Sequence, residues 1–112
     1  MIREKHRYLL VESAGGIPND KAAFSKALHK EIMVCFGQLH YFKGSFRIME
    51  FLESDLFIIR SSLAEYENLI RAFALIKRLG NEEAAFYTLK SSGTIRALKH
   101  YLDGLGKDRN IL

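Results

Sequence analysis

The sequence predicts an α+β fold of order β-α-β-β-α-β, with a four-stranded antiparallel sheet and an added C-terminal helix. Three observations lead there. Short apolar runs rich in β-branched and aromatic residues lie near positions 6–13, 46–52, 56–61 and 84–89. Two longer stretches with apolar residues at helical spacing, one from Asp20 and one behind Ser62, separate them. Turn residues fall between the elements, as at Gly15-Gly16 and Glu53-Ser54-Asp55.

His6 to Ser13 (HRYLLVES) is the first strand, ended by Gly15-Gly16, with Pro18 and Asn19 continuing the turn. From Asp20, Phe24, Leu28, Ile32 and Cys35 or Phe36 mark one face of a helix, and Gly37 stands where a C-terminal cap belongs. Phe46 to Leu52 and Leu56 to Ser61 form a hairpin. Ser62 and Glu65 have the spacing of a capping box, with Leu63, Tyr66, Ile70, Phe73 and Ile76 as the stripe behind it and Gly80 closing the helix. Ala84 to Leu89 is the fourth strand, and a last helix runs from Ile95 to about Leu102. This split order is that of ferredoxin-like and RNA-recognition-motif-like sandwiches, in which two helices share one sheet face. A chain of 112 residues forms one such domain, 1–112, and buries roughly two-thirds of its unfolded surface without staples.

A sheet packed on one face should alternate apolar and polar residues. Tyr8-Leu9-Leu10-Val11 and Leu56-Phe57-Ile58-Ile59 do not, so something must cover the second face: the final helix, another chain, or both. Ile95, Leu98, Leu102 and Leu105 give the final helix an apolar side for part of that role. Phe57, Ile59 and Leu102 are the expected protein contacts.

One cysteine excludes an internal disulfide framework and a cysteine-based zinc cluster. The expectation is a soluble, cytoplasmic protein, with no apolar run of the roughly 20 residues a bilayer span needs. Net charge is +4, unevenly spread. Residues 1–7 carry +2 and residues 90–112 carry +3, whereas the stretch between holds nine basic and ten acidic residues. Positive ends on a near-neutral body suit a polyanion, because each phosphate contact releases counterions.

SSGTIRALKHYL, Ser91 to Leu102, is the strongest local feature. Ser92 or Thr94 can cap its helix, the first backbone N–H groups can hold a phosphate, and Arg96, Lys99 and His100 fall on one side. Arg3, Lys5 and Arg7 precede the first strand. The expected RNA-binding residues are therefore Arg3, Lys5, Arg7, Lys90, Ser92, Thr94, Arg96 and Lys99. Gly15-Gly16 lacks the lysine and spacing of a phosphate loop and reads as a tight turn. Glu50, Glu53 and Asp55 are dense carboxylates with no evident base beside them, and the four histidines lack ligand spacing, so no catalytic or metal-binding residue is expected. The third strand, LFIIRSS, lacks the aromatic and glycine pattern that stacks bases in RNA-recognition motifs, which points to contact through loops and termini.

KHRYLL at Lys5 to Leu10 and SGTIRALKHYL at Ser92 to Leu102 resemble the ribonuclease P protein component 2 family of archaeal and eukaryotic enzymes. The resemblance implies a subunit that binds ribonuclease P RNA and supports cleavage of the 5′ leader of precursor tRNA, with the RNA holding Mg²⁺ and performing the hydrolysis. It also implies pairing with protein component 3, a barrel-fold subunit, and assembly into a heterotetramer. A ferredoxin-like ligand-binding or regulatory module, dimerising through its sheet, is the alternative of a different class. A stand-alone nuclease would need a constellation this sequence lacks.

Overall fold

Strand-forming Tyr8, Leu9, Leu10 and Val11 fall in β1 (His6–Ser13), which runs through the middle of the sheet in the computed structural model. The structure describes residues 5–37, 46–53 and 55–109. The other elements are α1 (Lys21–Gly37), β2 (Phe46–Leu52), β3 (Leu56–Ser62), α2 (Tyr66–Leu75), β4 (Arg78–Leu79), β5 (Glu82–Glu83), β6 (Phe86–Ser92) and α3 (Ile95–Arg109). The main sheet has the order β2-β3-β1-β6, every pair antiparallel, which is the ferredoxin-like arrangement the sequence predicts.

The doubly apolar strands are explained by three layers. Leu9 and Val11 of β1, Phe57 and Ile59 of β3, and Phe86 of β6 turn toward α1 and α2, meeting Phe24, Leu28, Ile32, Leu69, Ala72 and Phe73. Leu10 and Ile58 turn to the other face, where Leu98 of α3 completes a second cluster with Tyr8, Leu52, Leu89, Ile95, Tyr101 and Leu102 around it. The final helix therefore covers the second face, at least in part, from within the chain. Phe57 and Ile59 are wholly buried in the first core, so the expectation that they offer a protein contact is corrected. Leu102 packs partly buried against the second cluster.

Local chemistry sets the boundaries. Asp20 caps α1, its carboxylate accepting from the Ala23 N–H at 3.0 Å. Gly16 has φ +80°, and its N–H donates to the Ser13 carbonyl at 3.0 Å; Gly15-Gly16 is a tight turn. Gly37 is the last residue of α1 instead of lying beyond it. The Ser62/Glu65 capping box does not form. Ser62 still belongs to β3, α2 starts at Tyr66, and Glu65 precedes it without a side-chain cap bond. The helix also ends earlier than expected, at Leu75, with Ile76 extended at ψ 121°. Gly80, at φ +61°, turns a short β4–β5 ribbon instead of closing α2. The last strand lies two to three residues later than expected, and α3 continues through Arg109. The sequence-based turn at Glu53-Ser54-Asp55 holds Glu53 at φ 55°, while Ser54 lies outside the described residues.

Cys35 sits half-buried against the first core. Burial pushes its thiol above the ordinary range, and the Glu31 carboxylate adds to the shift. Thiolate is the reactive form. Alkylation by iodoacetamide at about pH 8 should therefore be slower than for an unstructured cysteine peptide and rise on denaturation. Equal rates before and after denaturation would contradict this packing.

Candidate nucleic-acid interface

β1 begins where β6 ends, because their antiparallel register sets Tyr8 opposite Ser92. That pairing brings the start of the chain and the start of α3 to one end of the sheet. Lys5 is exposed there, its carbonyl accepting from Leu63 N–H at 3.0 Å. Arg7 lies two residues on, with its guanidinium carbon 5.4 Å from the centre of the Tyr66 ring. A Cβ added at Gly93 would stand 4.0 Å from Arg7 Nη1, which puts the guanidinium beside the β6–α3 turn. Arg7 Nε is buried with no hydrogen-bond partner. The group thus packs against Tyr66, a contact that a planar guanidinium makes better than an ammonium.

The turn is ordered by its own hydroxyls. Ser92 Oγ accepts from Thr94 N–H at 3.3 Å, and Thr94 Oγ1 accepts from Ala97 N–H at 3.2 Å. Thr94 is therefore the N-cap of α3, as expected, and the N–H groups of Ile95 and Arg96, ahead of Ala97 in the first turn, have no acceptor within the helix. Arg96 is exposed in the first turn. The structure thus brings Lys5, Arg7, Ser92, Thr94 and Arg96 together at one end of the sheet.

The remaining expected residues fall elsewhere. Lys90 lies two pairs further along β6, opposite Leu10, its ammonium 5.5 Å from the centre of the Tyr101 ring. Lys99 pairs with Glu50 at 2.9 Å, so much of its charge is already answered. Both partners are more than a third exposed, and such a pair stabilises by at most about 1 kcal/mol. Arg3 lies outside the described residues. Among the described residues no group of three histidine, cysteine or acidic side chains could hold a metal ion. A groove of about 460 Å³ lies at the far end of β1, between the Gly15-Gly16 turn and β5. Asp20, Glu82 and Glu83 line it, a poor setting for phosphate.

The sheet face that carries stacked bases in open RNA-recognition-motif domains is the one α3 occupies here. Leu10 and Ile58 beneath the helix are fully buried. No described helix is long and apolar enough to cross a membrane. Sequence reasoning missed Arg47 and Arg60, which the β2–β3 register sets directly opposite one another. They are thirteen positions apart in the chain, within its near-neutral middle, so spacing and charge balance gave no signal.

Residues 7–102 match the model of the Rpp14/Pop5 family. The chain is also similar to ribonuclease P protein component 2 of Thermococcus gammatolerans, with 33% identity over 99 residues, covering 88% of this chain and 82% of the relative.

Proposed function

Since this chain belongs to the Rpp14/Pop5 family, we propose that it is a protein subunit of ribonuclease P that binds the catalytic RNA and supports cleavage of the 5′ leader of precursor tRNA. The observation that carries the RNA-binding part is the Arg7 guanidinium beside the Gly93 turn that leads into the Thr94-capped α3, whose first turn carries exposed Arg96. Cations there can engage phosphate oxygens, with Ser92, Thr94 and the first N–H groups of the helix supplying shorter-range hydrogen bonds. Such contacts read backbone shape, not base identity, which suits a structured RNA. In this reading the RNA holds the Mg²⁺ ions and performs the hydrolysis, and the protein positions it.

A protein partner belongs to the same reading, namely component 3, the barrel-fold subunit, with two such pairs forming a heterotetramer. Val34 of α1 and Leu75 of α2 are exposed apolar side chains on the helical layer, and covering them by a partner would be favourable. The test is reconstitution of ribonuclease P RNA and precursor tRNA at limiting Mg²⁺, with and without this chain plus component 3. A lower Mg²⁺ requirement or faster cleavage is the expected result. Absence of both RNA binding and any change in cleavage would reject the subunit reading.

A further inference from the structure

The register of the main sheet lines up one row of residues across all four strands on the face that carries α3. Arg47 of β2 stands opposite Arg60 of β3, Arg60 opposite Tyr8 of β1, and Tyr8 opposite Ser92 of β6. Two like charges directly opposite on neighbouring strands repel and lower the stability of the sheet. Among the described residues neither arginine has a carboxylate partner, and the nearest acid in the adjoining row, Glu50, is taken by Lys99. Among the described residues, two arginines therefore stand opposite one another with no acid to compensate them.

The row is accessible as well as charged. Arg47 is exposed, and Arg60, Tyr8 and Ser92 are half-buried. In the next row, by contrast, Ile58 and Leu10 lie fully buried beneath α3. The row also ends at Ser92, the residue that opens the turn with Thr94, Arg7 and Arg96. From β6 to β2 it spans three strand spacings, about 14 Å. Arg96 extends the same surface. It precedes Lys99 by one helical turn, and Lys99 reaches across to Glu50 on β2, so Arg96 lies on the flank of α3 that faces β2.

We propose that Arg47 and Arg60 form a second backbone-binding site, engaging phosphates of the same RNA that docks at the β6–α3 turn. The RNA then crosses the end of the sheet from β6 toward β2. This inference rests on the RNA-binding reading given above. A phosphate between the two guanidinium groups relieves their repulsion and accepts donors from both, so the cost the pair imposes on the free protein returns as affinity. Tyr8, between Arg60 and Ser92, supplies a half-buried ring on the path, consistent with a backbone lying over it.

Arg47→Glu provides the discriminating variant, because it replaces a repulsive cross-strand pair with an attractive one. The full chain, Arg47→Glu, Arg47→Gln/Arg60→Gln and Arg7→Gln/Arg96→Gln would be titrated onto transcribed ribonuclease P RNA over a salt series, with thermal unfolding followed in parallel. The expected result for Arg47→Glu is an unchanged or higher unfolding temperature together with at least tenfold weaker RNA binding. The double glutamine variant at Arg47 and Arg60 should reduce the slope of log affinity against log salt by about 1 to 2. Wild-type binding by both Arg47 variants, with loss only in the Arg7/Arg96 variant, would overturn the second site and leave the turn site standing. Retained RNA binding with loss of association to component 3 would assign the row to an acidic protein surface and overturn it too. Absence of salt-dependent binding by the unaltered chain would reject the RNA-binding reading on which this one rests.

Discussion

Replacing Phe57 with alanine should destabilise the isolated chain by about 3–5 kcal/mol, enough to unfold much of the population near physiological temperature. Phe57 is fully buried, and its ring lies 5.7 Å from Phe24, 6.0 Å from Phe73, 6.2 Å from Phe86 and 6.3 Å from Phe51, centre to centre. Those rings come from α1, α2, β6 and β2, so one side chain ties both helices to the sheet. Truncation removes its burial energy and leaves a cavity that four rings on separate elements cannot close together. The edge-to-face contacts with Phe24, Phe73 and Phe86 add about 0.5–1.5 kcal/mol each beyond area. Urea unfolding of the purified chain measures the loss. A contact residue for another protein would behave differently: its alanine variant would keep the fold and lose only association. Phe57→Ala with a wild-type midpoint would refute the core assignment.

Why Phe57 could be read as surface is instructive. In LFIIRSS every residue from Leu56 to Ile59 is apolar, so no alternation tells the two faces apart. That the second face needs a cover was legible; that α3 supplies one followed only from its apolar side, which Leu98 and Leu102 mark. Faces of β2 and β6 were harder. The β2–β3 register shifts between Ile48 and Glu50, and the β1–β6 register shifts between Leu10 and Val11. A bulge moves every residue beyond it to the other face. Without the shift in β2, Arg47 would oppose Ser61 and face the helical core, and Phe46 and Ile48 would turn toward α3. With it, the two apolar residues join the core and Arg47 comes opposite Arg60. Bulges leave no spacing signature, so this part of the candidate interface could not be read from sequence.

The helix boundaries failed for a related reason. Ser62 and Glu65 have capping-box spacing, yet pairing of His6 with Ser62 keeps Ser62 in the strand. The carboxylate of Glu65 instead accepts from the Asn68 side chain at 2.9 Å. Sheet pairing outweighed a cap that contributes about 1 kcal/mol. The Ser92-Gly93-Thr94 turn was legible because its chemistry is local: both of its hydroxyl bonds link residues two or three apart. The position of Arg7 beside that turn was not, since it depends on antiparallel pairing of β1 with β6, some eighty residues later.

Arg7→Gln combined with Arg96→Gln should weaken binding to ribonuclease P RNA by well over tenfold and make its salt dependence shallower by about 2. Charge-assisted hydrogen bonds contribute roughly 1.5–3 kcal/mol each, which is about tenfold or more per arginine. Arg7 should account for the larger part. Its guanidinium is already fixed over Tyr66 and beside Gly93, so little side-chain freedom is lost on binding, whereas Arg96 must be ordered from an exposed position. Arg7→Lys separates charge from geometry: it keeps the cation but loses the planar fork and the stacking, and most of the affinity should go with them. Lys99→Gln should cost less than either arginine. In the free protein that ammonium is paired with Glu50 at 2.9 Å, and a phosphate would have to displace the carboxylate. If Lys99→Gln proved the most damaging variant, and the Arg7/Arg96 variant kept both affinity and slope, the contact would lie along the Glu50 flank of α3 instead of at its capped start.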